Sequence, residues 1–406
     1  MRYITYAVLV LCIFLILWGI SIAGRGRFYE DYLSLDVMKS LRGLAAIGVI
    51  IHHISLEEAF KNAGELEKFT NAGYMLVSVF FFCSGYGLLK KLDENPDYMK
   101  GFLKKRLPVL IIPYYTSVVL YGLFYVTRGD DLAPLQWVTH IIGITLMNEY
   151  AWYPIILTIF YIAFYLVFRK EGPRIRKFIY ILAVILGLGL IFCVNGHFLW
   201  WAGSEPNWWM NPNSPDMEKW WLQPKVFWLS GEWWVNSPIA FLLGMIYETY
   251  EEKLTAFFQR SYPVKLAMLI VITCITGFIT DVALDVFGNW SEYNGNGPGI
   301  VDKMICLPTQ YLNIIALMLL IIVITMKVHV NNPAIRFFGK YSLDTYMMNL
   351  MPILMFRPIF LDFPGRVVNN AFLGRVLFFI CVFIVTIIFG VIYHKINELV
   401  RKWLFH

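Results

Sequence analysis

The stretch of sequence that decides the fold reads LRGLAAIGVIIHH and covers residues 41–53. Apart from Arg42 at one end and the pair His52 and His53 at the other, it is apolar enough to enter a bilayer. An ionisable residue inside a membrane segment is costly and is therefore a functional candidate by default. Arg42 and His53 are eleven positions apart, about three turns or roughly 16 Å, so they share nearly one helix face. A snorkelling arginine with two interfacial histidines is the alternative, but it leaves two adjacent histidines deep in an apolar run unexplained.

The composition of the whole chain is that of a polytopic membrane protein. Of 406 residues, 58% are hydrophobic and only 15% are charged, whereas about a quarter of the residues of soluble domains are charged. The formal net charge of +6 lies in short loops between apolar segments, which fits membrane orientation better than nucleic-acid binding. The six cysteines lie in apolar segments without a CxxC motif or a Cys/His cluster, so we expect neither disulfides nor a metal site.

Eleven apolar segments are candidates for membrane spans by their length. The first is preceded by Arg2 alone and followed by Arg25 and Arg27, which favours a retained anchor over a cleaved signal peptide. The apolar run 138–147 is only about ten residues long, which predicts a re-entrant or interfacial segment. The expected spans are 3–23, 38–56, 72–90, 107–126, 151–168, 177–195, 233–249, 263–282, 304–326, 341–361 and 373–396.

The loops between these spans alternate between rich and poor in Lys and Arg. Residues 104–106 are all basic, for example, whereas the loop 57–71 is net acidic. The positive-inside rule therefore places the N-terminus outside, the C-terminus in the cytoplasm and the Trp-rich loop 196–232 outside. In this topology Arg42 lies near the cytoplasmic face and His53 lies towards the outer leaflet.

Several motifs, taken in chain order, resemble the membrane acyltransferase 3 family. The first core helix of that family carries an Arg, ten residues and a His, which Arg42 and His53 match and His52 does not. Two positions depart from the family: Val109 stands where a second basic residue is frequent, and Asn349 stands where a His is frequent. The matching segments, spread over about residues 35–396, are Leu41–Ala46 with His53, Phe80–Tyr86, Lys104–Arg106 with Pro113 and Tyr114, Trp152 with Tyr153, and Gly339–Leu343 with Tyr346.

This resemblance implies an all-α, polytopic transmembrane helical bundle. Residues 1–34 are expected to form an N-terminal transmembrane anchor and linker, and residues 35–406 a ten-helix acyltransferase 3-like membrane domain. The implied reaction is O-acylation, usually O-acetylation, of a carbohydrate or cell-envelope acceptor, with acetyl-CoA or another acyl-CoA as donor and no metal. The acyl group would move from the cytoplasmic side to an acceptor on the outer side of a bacterial cytoplasmic membrane. Nucleic acid is not an expected partner, and a homo-oligomer is compatible with the sequence.

His53 is the expected catalytic residue. An imidazole can accept a hydroxyl proton at neutral pH, and it could alternatively become acylated as a nucleophile. His52 points about 100° away from His53 on a helix. We therefore expect only one of the two imidazoles to face the site, and we assign His52 to packing or to contact with the lipid interface.

Basic residues are the expected donor-binding groups. Arg42 could bind the donor phosphates in a bidentate manner, or it could form a structural pair with Asp36. Lys104, Lys105 and Arg106 could attract an anionic cofactor, although the positive-inside rule alone also accounts for them.

Six further residues are candidates for substrate binding. Ser84 could donate a hydrogen bond to a ligand beside Gly85, or the two small residues could serve a helix contact. Tyr346 and Asn349 share a helix face and could line the cavity or form hydrogen bonds between helices. The six candidates are Ser84, Tyr114, Trp152, Glu232, Tyr346 and Asn349.

The loop 196–232 and its continuation are unusually rich in tryptophan. Nine tryptophans fall between residues 200 and 234. A Trp ring with its polar edge suits the bilayer interface, and it also suits stacking against a sugar ring. Both roles stay open for this loop.

Two other function classes compete with the acyltransferase hypothesis. One is a polysaccharide exporter or transporter on a similar bundle without acyl transfer, and the other is a sensor or assembly partner without turnover. A transporter should show paired broken helices in two halves of the chain, and we see no convincing internal repeat.

Overall fold

The computed structural model describes residues 2–130, 134–194, 232–288, 299–362 and 370–405. Their regular structure is almost entirely helical, which confirms the predicted all-α class. The chain divides into two compact units. Met1–Phe80 and Ile321–His406 form the first unit, and Phe81–Leu320 form the second.

The helices of the described residues are numbered here in chain order. They are α1 (Tyr3–Leu17), α2 (Leu35–Ser55), α3 (Glu58–Lys61), α4 (Glu67–Thr70), α5 (Gly73–Glu94), α6 (Phe102–Arg106), α7 (Pro108–Thr127), α8 (Pro134–Ile141), α9 (Trp152–Phe168), α10 (Arg174–Val194), α11 (Ile239–Thr249), α12 (Glu251–Gln259), α13 (Tyr262–Ala283), α14 (Ile300–Thr325), α15 (Pro333–Lys340), α16 (Ser342–Met348), α17 (Leu350–Phe360) and α18 (Ala371–Phe405). Short 3₁₀ helices cover Pro96–Met99 and Glu149–Ala151, a π turn covers Leu284–Gly288, and the strands are β1 (Ile20–Ile22) and β2 (Val328–Val330).

Eight helices in the described part of the chain are long and apolar enough to cross a membrane. They include α2, and Ser34 caps its first turn. The Ser34 hydroxyl accepts a hydrogen bond from the Val37 amide at 3.4 Å. All eight coincide with expected spans. They are α2, α5, α7, α9, α10, α13, α14 and α18.

Three expected spans, 3–23, 233–249 and 341–361, hold shorter helices instead. Helix α1 has 15 residues, about 22 Å at a rise of 1.5 Å per residue, which is less than the roughly 30 Å of a hydrocarbon core. Helix α11 has 11 residues and begins after Pro238. The last segment is divided between α16 and α17 at Asn349, because Pro352 has no amide to continue the hydrogen bonding of the preceding turn.

In the first unit, α2 crosses α15 at a backbone contact that only glycine permits. A Cβ atom added to Gly43 would lie 2.1 Å from the Ile335 carbonyl oxygen, and one added to Gly339 would lie 2.2 Å from the Lys39 carbonyl oxygen. Small residues allow helices to approach this closely. The crossing joins two segments that the sequence singled out, residues 41–46 and 339–343.

Both ends of α1 are fixed to the rest of the first unit. At its start, the amide and the hydroxyl of Thr5 both donate to the buried Glu65 carboxylate, at 2.9 and 2.7 Å. After its end, β1 pairs antiparallel with β2, with Ser21 opposite His329. The N-terminal segment is therefore packed against the unit, and its short strand is a feature that the all-helical prediction lacks.

In the second unit, aromatic side chains fill the helix interfaces. Phe160 on α9 lies 6.0 Å from Phe81 on α5 and 5.1 Å from Phe241 on α11, measured between ring centroids. All three rings are buried. The segment 138–147, expected to be too short to span, holds the end of α8 and a turn at Gly143, where φ is +78°.

Candidate active site

Helix α2 carries His53 into the interior of the first unit. The side chain is 6% exposed, and its Nδ1 atom lies 2.8 Å from the amide oxygen of Asn349. Asn349 is fully buried at the break between α16 and α17. The break in the late span therefore places a polar side chain at the depth of the imidazole.

The hydrogen bonds of Asn349 fix the tautomer of His53. The amide nitrogen of Asn349 donates to the hydroxyl of Thr386 on α18 at 3.0 Å, so the amide oxygen faces the imidazole. An amide oxygen only accepts, so Nδ1 of His53 carries a proton at this bond, and in the neutral imidazole Nε2 then carries the lone pair. Three elements of the first unit thus hold one imidazole in the state that a general base requires.

Tyr346 lies next to this imidazole, on the helix turn that precedes Asn349. The ring centroids of Tyr346 and His53 are 5.8 Å apart, and Tyr346 is buried. The structure therefore brings together three of the predicted site residues, His53, Tyr346 and Asn349. Their predicted roles in catalysis and substrate binding stay predictions.

His52 has different surroundings, although its ring centroid is only 5.3 Å from that of His53. Its Nδ1 lies 2.8 Å from the backbone carbonyl oxygen of Phe69, which can only accept a hydrogen bond. Its Nε2 faces Gly73, where an added Cβ atom would lie only 2.4 Å away. The structure directs the two imidazoles to different neighbours, as helical geometry requires.

Two pairs of ionisable side chains in the first unit were not predicted from the sequence. Arg357 donates twice to the Glu57 carboxylate, at 2.6 Å from both Nε and Nη2. Glu57 follows His53 by one helical turn, so this pair joins the end of α2 to α17. The second pair joins Asp344 on α16 to Nδ1 of His394 on α18 at 2.8 Å. The available signal was the presence of Asp344, Arg357 and His394 in apolar segments, where ionisable residues require partners.

Arg42 has no structural pairing with Asp36. Asp36 instead lies 3.1 Å from Lys39, on the exposed first turn of α2. The Nε atom of Arg42 is buried and has no hydrogen-bond partner among the residues that the structure describes. A buried guanidinium donor without an acceptor is unfavourable, which is consistent with a role that a bound anion completes.

The remaining predicted donor-binding residues lie in the second unit. Lys104 and Lys105 are exposed on α6, whereas Arg106 donates from Nε to the Tyr98 hydroxyl oxygen at 2.8 Å. Burial raises the pKa of Tyr98, and the neighbouring Arg106 guanidinium opposes that shift. Tyr98 therefore stays a neutral acceptor that holds Arg106, and the two lysines are the more accessible cations.

The four other substrate-binding candidates also lie in the second unit, each in its own surroundings. The Tyr114 hydroxyl donates to the His140 carbonyl oxygen at 2.5 Å. Trp152 and Glu232 are buried. Ser84 is half-buried beside Gly85, where an added Cβ atom would lie 2.0 Å from the Phe241 carbonyl oxygen. This contact supports helix packing as the reason for the small residue at position 85.

Most of the Trp-rich loop lies outside the described residues. Of its nine tryptophans, the structure describes only Trp233 and Trp234, and Trp234 is 1% exposed. The choice between an interface belt and sugar stacking therefore stays open. The tryptophans outside the described residues are Trp200, Trp201, Trp208, Trp209, Trp220, Trp221 and Trp228.

Eight membrane-length helices, with a buried imidazole held by an amide, define a multi-pass membrane protein with a potential base in its interior. The family model of the acyltransferase domain known as acyltransferase 3 matches residues 33–395, nearly the whole chain. The chain therefore belongs to this family and is a membrane acyltransferase. No curated protein and no solved structure matches it.

Proposed function

We propose that the protein transfers an acyl group, in the first instance acetyl, from acyl-CoA to a hydroxyl group of a carbohydrate or cell-envelope acceptor, with His53 as general base. The observation that carries this proposal is the hydrogen-bond chain from His53 through Asn349 to Thr386. A base that is already held in one tautomer and one orientation needs no reorganisation when the substrates arrive.

The reaction is then a direct acyl transfer. Nε2 of His53 takes the proton of the acceptor hydroxyl while its oxygen attacks the thioester carbonyl carbon. The tetrahedral intermediate collapses, the carbon–sulfur bond breaks, and the CoA thiolate takes the proton from Nε2. The alternative, in which Nε2 attacks first and an acyl-His intermediate forms, uses the same lone pair and the same Asn349 hydrogen bond.

Burial of the base supports transfer over hydrolysis. His53 is 6% exposed and Asn349 is fully buried, so little water reaches the imidazole. Exclusion of water from an active site prevents the loss of a reactive thioester to hydrolysis. The same burial requires a bound acceptor before the base can act.

Arg42 is the proposed donor contact of the first unit. Arg42, whose Nε is buried and lacks a hydrogen-bond partner in the described structure, binds a donor phosphate in this proposal. Lys104, Lys105 and Arg106 attract the anionic donor by their charge. Substitution of Arg42 by Ala should raise the apparent KM for the donor strongly, whereas Arg336→Ala, at an exposed position of the same unit, should leave it unchanged.

Acyl transfer by the purified protein tests the proposal. The protein in detergent is mixed with acetyl-CoA and a panel of glycans, and both thiol release and the acetylated glycan are measured. Acceptor-dependent thiol release with an ester product is the expected result. A folded protein that binds neither donor nor acceptor would contradict the proposal, and one that moves glycan across a vesicle membrane without thiol release would support the exporter hypothesis instead.

Sidedness is part of the proposal: the donor arrives from the cytoplasm and the acceptor from outside, so α2 runs from the cytoplasmic face to the outer face. The loop charges support this orientation. Single cysteines at Glu58 and Lys100, which are both exposed, can be labelled with an impermeant thiol reagent in intact cells after the native cysteines are replaced. We expect labelling at position 58 only, and labelling at position 100 only would invert the orientation.

A further inference from the structure

The second unit contains a cleft with a strongly ionic lining that the proposed reaction does not use. Its volume is about 260 Å³, and it lies where α5 and α9 end and α10 begins. We call it the basic cleft. Its charged lining consists of Asp93, Arg169, Lys170, Glu171, Arg174 and Lys177.

The charges of the basic cleft do not cancel. Arg174 is committed to two acidic residues, Asp93 and, at 3.7 Å, Glu248, which lies outside the lining, and it also donates to the Thr249 hydroxyl at 3.2 Å. That leaves Arg169, Lys170 and Lys177 against Glu171, an excess of two positive charges among the lining residues.

Aromatic rings hold two of these cations at the cleft. The Arg169 guanidinium lies 5.4 Å from the centroid of the Tyr165 ring, and the Lys177 ammonium lies 5.1 Å from that of Phe168. A cation over an aromatic face keeps its full charge and loses conformational freedom. These contacts therefore prearrange positive charge without neutralising it.

The position along the helices matches the phosphate level of a bilayer. The cations follow the apolar helix α9 and precede the apolar part of α10, so they stand where a membrane span meets its interface. The N-terminus of α10, a helix of 21 residues, adds a positive dipole end at the same place. Leu89, Leu92 and Phe168 form the apolar remainder of the lining.

The size of the cleft restricts what it can hold. A volume of about 260 Å³ is slightly below the roughly 300–1,000 Å³ of pockets that enclose whole drug-sized ligands. It suits a phosphate group and the atoms next to it. A complete acyl-CoA is too large to be enclosed there.

We propose that the basic cleft binds a phosphate-bearing anion, either the headgroup of an anionic phospholipid or the nucleotide end of the donor. Basic pockets between membrane helices bind anionic headgroups, and the apolar residues beside the cations suit the glycerol esters of a lipid as well as an adenine ring. The phospholipid source does not depend on the proposed function, whereas the nucleotide source rests on it.

The test compares Lys170→Gln/Lys177→Gln with the wild type in two binding assays. One assay measures retention of phosphatidylglycerol against phosphatidylcholine by native mass spectrometry, and the other measures binding of adenosine 3′,5′-bisphosphate by calorimetry. Each removed charge should weaken binding about fivefold, so the double variant should lose roughly 25-fold for the ligand that occupies the cleft. Loss for the lipid identifies a headgroup site, and loss for the bisphosphate identifies a donor site.

Two controls separate a site from general surface charge. Lys91→Gln removes an exposed charge from α5 outside the cleft lining and should change neither affinity. Lys170→Arg/Lys177→Arg keeps both charges and should bind like the wild type. The proposal is overturned if the wild type binds neither ligand, if the double Gln variant binds both as tightly as the wild type, or if Lys91→Gln weakens binding equally. Because the lipid assay needs no turnover, its result is independent of whether acyl transfer is found.

Discussion

Two neighbouring residues of one helix, His52 and His53, have the same side chain and different surroundings. His52 is tied to the backbone carbonyl of Phe69, in the segment that directly precedes α5. His53 is tied to the side chain of Asn349, 296 positions away, which is tied in turn to Thr386 on α18. The first contact anchors the short helix α4, whereas the second is a buried chain of side chains from three elements.

We propose that this difference separates a structural imidazole, His52, from a reactive one, His53. Both hydrogen bonds place a proton on Nδ1, but only the partner of His53 is a buried side chain that is itself held by Thr386. We therefore place the chemistry at His53, and the following predictions separate the two residues.

The largest effect should come from His53→Ala. Loss of a general base lowers the rate by about 10²-fold to 10⁴-fold, and the folded protein should be retained. The matched variant His52→Ala should keep most of the activity, because its imidazole contacts Phe69 and Gly73. Both rates are measured as acceptor-dependent thiol release at equal amounts of folded protein. A complete loss in His52→Ala with activity in His53→Ala would reverse the assignment.

A smaller effect should come from Asn349→Ala. This change leaves Nδ1–H of His53 buried without the Asn349 acceptor and frees the ring to rotate. Misplacement of a catalytic group by about 1 Å can lower a rate roughly 100-fold. The loss should appear in kcat, with the donor KM unchanged, since Asn349 only orients the base.

Thr386→Val is the companion to Asn349→Ala. It keeps the bond between His53 and Asn349 and removes only the acceptor of the Asn349 amide. Its rate should lie between that of the wild type and that of Asn349→Ala. If Asn349→Ala is as active as the wild type, the amide does not position His53.

The smallest effect, on stability alone, should come from Gly73→Ala. The new methyl group would lie only 2.4 Å from Nε2 of His52, and overpacking of this kind costs about 1–3 kcal/mol. The double variant Gly73→Ala/His52→Ala removes the ring and should recover much of that loss. Thermal unfolding in detergent measures both, and a double variant less stable than Gly73→Ala would refute the proposed contact.

The sequence was sufficient for eight of the eleven expected spans but not for the partners of the site. Residues 38–56 were expected to be a span, and α2 covers Leu35–Ser55, because an apolar run of that length is a local signal. The crossing of Gly43 with Gly339 joins two recognised motifs, yet their contact required the fold. Asn349, the partner of His53, lies 296 positions away in the chain. No periodicity in the sequence predicts a contact over that separation.

Two features carried signals that remained unused. Pro352 marks the division of the expected span 341–361 at Asn349, since proline interrupts helical hydrogen bonding. Arg357 in the same segment required an acidic partner. The sequence did not indicate which of several acidic residues that partner is, and the structure shows that it is Glu57, 300 positions away. Local rules identify such residues, and only the tertiary structure assigns their partners.

Nitrogen NMR of the His53 imidazole tests the central claim most directly. The seven histidines are labelled with ¹⁵N, and the His53 signals are those missing from His53→Gln. We expect a protonated Nδ1 and an unprotonated Nε2 at neutral pH in the wild type, and a mixture of tautomers in Asn349→Ala. A protonated Nε2 in the wild type, or a tautomer that Asn349→Ala leaves unchanged, would contradict the claim that Asn349 holds His53 ready to act as a base.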